Sequence, residues 1–307
     1  MTHATGSAAI SARGLTKRYG TTLALDDVTF DVPAHTICGL FGRNGAGKTT
    51  LMSILTAQNF ATAGEGRIFG EQPYENTAVL PRICFVRESQ RYPEDSVADH
   101  AFAMARLFFP NWDQAFADQL ITDFRLPTST RIKKLSRGQR SAVGVIIGLA
   151  SRADVTFFDE PYLGLDAVAR QTFYDRLLQD YTEHPRTIVL SSHLIDEIAD
   201  LIERVLVVDD GRLVLDEAAD DLRDRAFTVV GAEQAVDALI GDREELHREH
   251  LGPIASATVM GRLTQTDQEA MSRTGLSTTP VSLQELIVRL TQHSDTERGT
   301  AAKGARS

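Results

Sequence analysis

The sequence predicts an α/β fold, a parallel sheet covered by helices on both faces, and three observations carry that prediction. Short apolar runs recur at residues 37–41, 83–86, 155–158, 187–190 and 205–208, without the alternation of strands that face water on one side. Stretches of helical periodicity separate them, as a layered α/β core requires. A glycine-rich loop joins the first run to a helix start near Lys48.

Ahead of that core, residues 10–32 carry alternating apolar positions at Val28, Phe30 and Val32 and the turn-like Tyr19-Gly20, which predicts an antiparallel β region. Between the second and third apolar runs, residues 97–109, 112–124 and 137–150 read as helices, with Pro110 and Pro127 at the breaks. They predict an inserted all-helical subdomain over about residues 87–151. After the Asp209-Asp210-Gly211 turn, the pattern restarts with a strand at 226–230, a helix at 233–240, a strand at 255–260, and helices near Asp267 and over 282–291. Residues 222–293 are therefore expected as a small separate α/β domain. The first eight residues and the tail 294–307 are too small and polar to bury apolar area that would offset their ordering entropy, and are expected to be disordered.

A chain of 307 residues with 42% apolar and 24% charged residues has the composition of a soluble globular protein. Its net charge of −10 argues against a nonspecific nucleic-acid binder, which needs a basic stripe to neutralise phosphates. No stretch approaches the roughly 20 apolar residues that cross a bilayer. Residues 1–9 lack the basic and apolar regions of a signal peptide. Any work at a membrane is thus expected to run through a partner. The two cysteines, Cys38 and Cys84, lie inside apolar runs rather than in metal or redox spacings, and read as reduced core residues.

Gly42-Arg43-Asn44-Gly45-Ala46-Gly47-Lys48-Thr49 fits the phosphate-binding loop, and its place between a buried strand and a helix is the context that loop requires. The glycines, Gly42, Gly45 and Gly47, let backbone N–H groups of the loop, Asn44 among its residues, wrap the phosphates. Lys48 is expected to neutralise the β- and γ-phosphates, Thr49 to place its hydroxyl on Mg²⁺, and Thr50 to make a further phosphate contact, at a helix N-terminus that favours anions. Residues 155–158 run into Asp159-Glu160, which projects two carboxylates from the edge of a parallel sheet where ligands bind. Asp159 is suited to hydrated Mg²⁺, and Glu160 to polarising a water.

Leu135-Ser136-Arg137-Gly138-Gln139, just ahead of that carboxylate strand, resembles the signature motif of ABC transporter ATPases, with Arg137 where the commonest form has glycine. The resemblance covers about residues 11–217 and implies a phosphate-loop ATPase cassette, residues 9–217, that hydrolyses ATP with Mg²⁺. It implies that Ser136, Gly138 and Gln139, at a helix N-terminus, serve the γ-phosphate held by the opposite subunit of a head-to-tail dimer, formed with itself or a similar ATPase. Asp166, in Gly164-Leu165-Asp166, matches the loop that contacts that subunit. His193 matches the switch histidine that touches the γ-phosphate and places water, so the catalytic pair is Glu160 and His193. Tyr19 matches the aromatic that stacks on adenine. The glutamine-loop position falls at Glu88, while Gln90 lies two residues later, and either could approach Mg²⁺. A separate transmembrane permease is the implied partner, and the implied location is the cytoplasmic face of the membrane.

Phe109-Pro110-Asn111-Trp112-Asp113 and the added C-terminal domain are similar to bacterial ABC ATPases of drug, bacteriocin or envelope-stress export. The rival from another class is a soluble ABC ATPase acting on ribosome or nucleic acid; such relatives carry two cassettes or a long coiled coil, whereas this chain has one phosphate loop and one signature. Phe102, Phe108, Phe109 and Trp112 read as subdomain core or as a groove for a permease helix rather than a base-stacking platform. His247 and His250, spaced i, i+3 in the charged run 242–250, read as a solvated helix face rather than a metal site.

Overall fold

Strand β1 (Ala8–Tyr19) pairs antiparallel with β2 (Thr22–Pro33), turning at Gly20, and the pairs Ile10 with Val32, Ala12 with Phe30 and Leu15 with Val28 put their buried residues on one face. This computed structural model describes residues 8–223 and 225–290. Strand β3 (Ile37–Phe41), buried throughout, leads into helix α1 (Lys48–Leu55); β4 (Ala63–Ile68) then returns to pair with β1 and completes a three-stranded sheet in the order β2-β1-β4.

The second sheet takes β5 (Ile83–Arg87), β6 (Val155–Asp159), β7 (Thr187–Ser191), β8 (Arg204–Asp209) and β9 (Arg212–Ala218), with β3 set inside it, in the order β5-β6-β7-β3-β8-β9. The pairs from β5 through to β8 are parallel, which brings the ends of β3, β5, β6 and β7 to one edge. β6 and β7 are buried at every position, the signature of strands covered on both faces. Cys38 and Cys84 are free and buried on β3 and β5, and burial pushes the Cys84 thiol up to about 12.

Between β5 and β6 the chain is helical, with α2 (Ala98–Phe108), α3 (Gln114–Asp123) and α4 (Arg137–Ala150). Asp113 caps α3 by accepting from Phe116 N–H at 2.8 Å. Of the four aromatic residues singled out here, Phe102 is buried, Phe109 and Trp112 are half-buried, and Phe108 is exposed. Helix α5 (Ala167–Glu183) follows β6, and its buried Asp180 receives Arg152 at 2.9 Å and Arg186 at 2.6 Å, one guanidinium on each oxygen. That carboxylate ties the end of α4 and the start of β7 to α5. The described residues contain no helix long and apolar enough to cross a membrane.

Two compact units result, the first reaching His193 and adding Leu201–Asp216, the second combining Leu194–Asp200 with the chain from Glu217. The second unit holds α6 (Ile195–Ile198), α7 (Ala219–Arg223), β10 (Ala226–Ala232), α8 (Glu233–Ile240), β11 (Glu245–Leu251), β12 (Ile254–Met260), α9 (Gln265–Thr274) and β13 (Ser277–Pro280), and residues 283–290 are helical. Its sheet runs β11-β12-β10-β13, with Phe227, Val229, Val236, Ala257 and Val259 in the core. Asp196 accepts from Gln284 N–H at 3.2 Å and lies 3.3 Å from Ser282 Oγ, which ties α6 to the segment entering the last helix.

The expected helix face over residues 242–250 is overturned, because β11 occupies that run and pairs antiparallel with β12. Side chains alternate along a strand, so His247 and His250 point to opposite faces and cannot share the i, i+3 geometry. His247 Nε2 instead lies 2.9 Å from Glu249 Oε1, and His250 Nδ1 is 3.8 Å from Glu233. The proposals for the first eight residues and the tail fall outside the described residues, apart from Ala8, which opens β1.

Two stability predictions follow from buried carboxylates. Asp180→Ala strands the buried guanidinium of Arg186, while Arg152 keeps Asp113 at 2.7 Å, and is expected to cost about 3–5 kcal/mol in chemical denaturation. Asp267 caps α9 with Thr264; burial alone would raise its carboxyl, but bonds from the Thr264 backbone and hydroxyl and from Arg243 outweigh that and hold it below the usual carboxylate range. Its contribution is present above the unfolded value of about 4 and is lost as pH falls through the lower folded value. Protection factors of β10–β13 amides, taken relative to the intrinsic exchange rate at each pH, should therefore fall more steeply from pH 6 to pH 3 in the native chain than in Asp267→Asn.

Candidate functional site

The loop after β3 closes on itself before any ligand is considered. Gly47 is the N-cap of α1 at φ +110, where a Cβ would stand 2.5 Å from the Ala24 carbonyl, so only glycine lets the loop pass beneath β2. Lys48 Nζ donates to the Gly42 carbonyl at 2.7 Å and the Arg43 carbonyl at 3.3 Å, which holds the ammonium over the loop. Burial pushes the Lys48 ammonium below its ordinary value, and Glu160 and Asp159 act against that shift.

The buried Asp159 is held from two sides: Thr49 Oγ1 donates to one oxygen at 2.6 Å and Ser191 Oγ donates to the other at 2.7 Å. Ser191 Oγ also accepts the Glu160 N–H at 3.1 Å. Glu160 itself sits at φ +48, a left-handed conformation that costs a glutamate about 1–3 kcal/mol and is found where surrounding structure over-determines it. From there its Oε2 reaches 3.0 Å from His193 Nδ1, at the loop after β7.

An open cavity of about 460 Å³ is lined by Asn44, Gly45, Gly47, Lys48, Thr49, Thr50, Asp159, Glu160 and Glu88, all candidates from the sequence, with Ala46 of the same loop, and by Ala24, Ser89 and Leu163, which were not; the catalytic candidate His193 reaches Glu160 but is not part of the cavity lining. Glu88 lines the wall and Gln90 does not. Glu88 N–H donates to the Asp159 carbonyl at 3.0 Å, and its carboxylate accepts from Arg137 at 2.5 Å. Glu88, one of the two glutamine-loop candidates, is thus paired with Arg137 at the start of α4. Hard oxygen donors from one carboxylate and one hydroxyl, at the wall of this cavity, suit Mg²⁺, which takes few protein ligands and fills its sphere with phosphate and water.

Other expected residues stand apart from the cavity wall. Gly42 serves through its carbonyl under Lys48. Tyr19 is 46% exposed, with its hydroxyl bonded to Asn59 and Lys17 Nζ 4.7 Å from its ring centroid, so the ring has partners away from the cavity. Ser136 and Gln139 form a reciprocal capping box at the start of α4. A Cβ on Gly138 would lie 2.7 Å from the Gly164 carbonyl, and Ser141 Oγ donates to the Leu163 carbonyl at 2.6 Å, so the start of α4 is seated on the loop that leaves β6. Asp166 caps α5 through Ala169 N–H at 2.8 Å. Ser191 and Tyr162, which organise the carboxylates and His193, escaped the sequence reading. The signal for Ser191 was a polar residue closing a fully buried parallel strand.

Comparison with known proteins gives this arrangement its lineage. The family described as ABC transporter matches residues 25–163, which carry the phosphate loop, Glu88, the start of α4 and the carboxylate pair. The doxorubicin resistance ATP-binding protein DrrA of Mycobacterium tuberculosis is 30% identical over 226 residues, 71% of this chain and 68% of its own. The daunorubicin/doxorubicin resistance ATP-binding protein DrrA of Streptomyces peucetius is 27% identical over 316 residues, 95% of each chain. Among solved structures, a dimeric ATP-binding cassette in a post-hydrolysis state with ADP and Pi shares the fold at a TM-score of 0.60, 20% identity, 68% of this chain and 98% of that one. At 30% identity across two thirds of the mycobacterial protein, with the family's matched segment carrying nearly all of the cavity wall, the chain belongs to the ABC transporter family as one of its ATP-binding subunits.

Proposed function

We propose that the chain is the motor of an exporter: two cassettes close head-to-tail over ATP and Mg²⁺, and hydrolysis reopens them to drive a separate permease at the cytoplasmic face of the membrane. The observation that carries the reading is the convergence of Lys48, the Thr49–Asp159 pair, Glu160 and His193 on one sheet edge. Export rather than import is supported by the drug-resistance relatives, which are similar over most of the chain.

Lys48 and the loop N–H groups would hold the β- and γ-phosphates, with the dipole of α1 behind them. Thr49 and Asp159 would hold Mg²⁺, which supplies charge neutralisation at the phosphates. Glu160 accepts a proton from water as the water oxygen bonds to the γ-phosphorus; the bond to the β–γ bridging oxygen breaks, leaving ADP and phosphate. His193 would donate to a γ-phosphate oxygen, and Glu88 would face the metal side of the cavity. Ser136, Gly138, Gln139 and Asp166 would serve the partner cassette's nucleotide, because helix N-termini concentrate N–H donors for an anion. Tyr19 would turn from Asn59 to stack on adenine. In this reading residues 9–217 are the motor, with the helical subdomain at about 87–151, and residues 222–293 form an accessory domain.

Met104, Leu107 and Phe108 lie at i, i+3 and i+4 on α2 and are 51%, 79% and 64% exposed, an apolar helix face suited to a permease loop helix.

Glu160→Gln should lower phosphate release by about 10²–10⁴-fold while the ATP-bound dimer persists in size-exclusion chromatography. Unchanged turnover would remove Glu160 as the base. From detergent-solubilised membranes, Glu160→Gln protein with ATP and Mg²⁺ should co-purify a polytopic membrane protein, and Leu107→Asp added to it should lose that partner while still binding ATP. Recovery of only ribosomal or other soluble partners would overturn the transporter assignment.

A further inference from the structure

We propose that Tyr162 is a positioning residue that sets the tautomer of His193 and so releases Glu160 to work on water, an inference that rests on the roles proposed above for His193 and Glu160. Tyr162 lies two positions beyond Glu160 and is buried, 3% exposed. Its hydroxyl oxygen accepts the backbone N–H of His193 at 2.9 Å, lies 3.2 Å from Ser192 Oγ, and stands 2.9 Å from His193 Nδ1. The two ring centroids are 5.5 Å apart. The hydroxyl therefore meets both the backbone and the ring of the histidine, which a phenylalanine of the same size could not do.

The same Nδ1 is 3.0 Å from Glu160 Oε2. A ring nitrogen of neutral imidazole presents either a proton or a lone pair. The carboxylate of Glu160 can bond only to Nδ1–H, whereas the Tyr162 hydroxyl, whose oxygen is already engaged as acceptor of the His193 backbone N–H, turns its O–H toward an Nδ1 lone pair. The two neighbours therefore select opposite tautomers. When Nδ1 carries the proton, Glu160 is engaged by the ring and Nε2 presents a lone pair, which cannot donate to an anionic phosphate. When Tyr162 donates to Nδ1, the proton sits on Nε2, the ring becomes a donor toward a phosphate oxygen, and Glu160 keeps both oxygens for water. The partner of one ring nitrogen fixes what the other can do.

The test compares the full-length chain with Tyr162→Phe, using ¹⁵N shifts of His193 in the nucleotide-free protein and kcat for ATP hydrolysis with Mg²⁺. The native chain should show His193 predominantly as the Nε2–H tautomer. Tyr162→Phe should move it to Nδ1–H and lower kcat by about tenfold or more, at an unchanged ATP Kd. Ser192→Ala removes a different neighbour of the same hydroxyl and should leave the tautomer as it is, which separates tautomer control from general loosening of the loop. The same His193 shifts in native and Tyr162→Phe protein, or an equal change in Ser192→Ala, would overturn the proposal. If His193→Ala retained full turnover, the phosphate role of His193 would fall, while the tautomer measurement would still decide whether Tyr162 controls the ring.

Discussion

A buried carboxylate on Asp159 is the constraint around which the site is organised. Removing such a charge from water costs several kcal/mol unless donors replace the lost hydration. Thr49 at the start of α1 and Ser191 at the end of β7 supply those donors, one to each oxygen. Three elements distant in sequence are thereby held at one edge of the parallel sheet, and the Ser191 oxygen that serves Asp159 also takes the Glu160 N–H. The left-handed backbone at Glu160 is maintained by that bond, and it turns the second carboxylate toward His193. The hydroxyl of Thr49, bonded to Asp159, thus satisfies a buried charge from the first turn of α1.

The helical region extends this economy to a second surface. α4 and α5 begin with side-chain caps, Ser136 with Gln139 and Asp166 with Ala169 N–H, and each cap fixes the direction in which a helix N-terminus presents its N–H groups. Ser136, Gly138 and Asp166 do not line the cavity of their own chain. Glu88 links the two regions, because its backbone bonds to Asp159 and its side chain pairs with Arg137 beside the α4 cap. The pair is exposed, 64% and 42% at the two side chains, so screening keeps its energetic weight small and its geometry is open to rearrangement when a nucleotide arrives.

Most of the fold was legible because the chain follows local rules where the sheet is buried. Strands β3, β5, β6, β7 and β8 appear as apolar runs, and α2, α3 and α4 lie within a few residues of their expected positions. The miss at β11 has a physical cause. Glu245-Leu246-His247-Arg248-Glu249-His250-Leu251 is an edge strand with no fully buried position, so burial periodicity is absent and charge spacing imitates a helix face. β13, mostly exposed and made of Ser277, Thr278, Thr279 and Pro280, carries no apolar pattern at all. Edge strands are stabilised by backbone pairing to a neighbour, which a linear pattern does not record.

The sequence by itself determined the phosphate loop, the carboxylate pair, the helix start at Ser136 and the order in which strands and helices alternate, since each depends on residues adjacent in the chain. It left open whether Glu88 or Gln90 faces the cavity, and it did not join Ser191 to the Asp159 carboxylate and the Glu160 N–H, or Tyr162 to His193. Tertiary structure decided these, because each is a contact between strand ends brought together only by the parallel pairing of β5, β6 and β7. Backbone pairing sets which strand ends are neighbours, and a hydrogen bond needs its two atoms within about 3 Å, a condition that sequence separation does not encode.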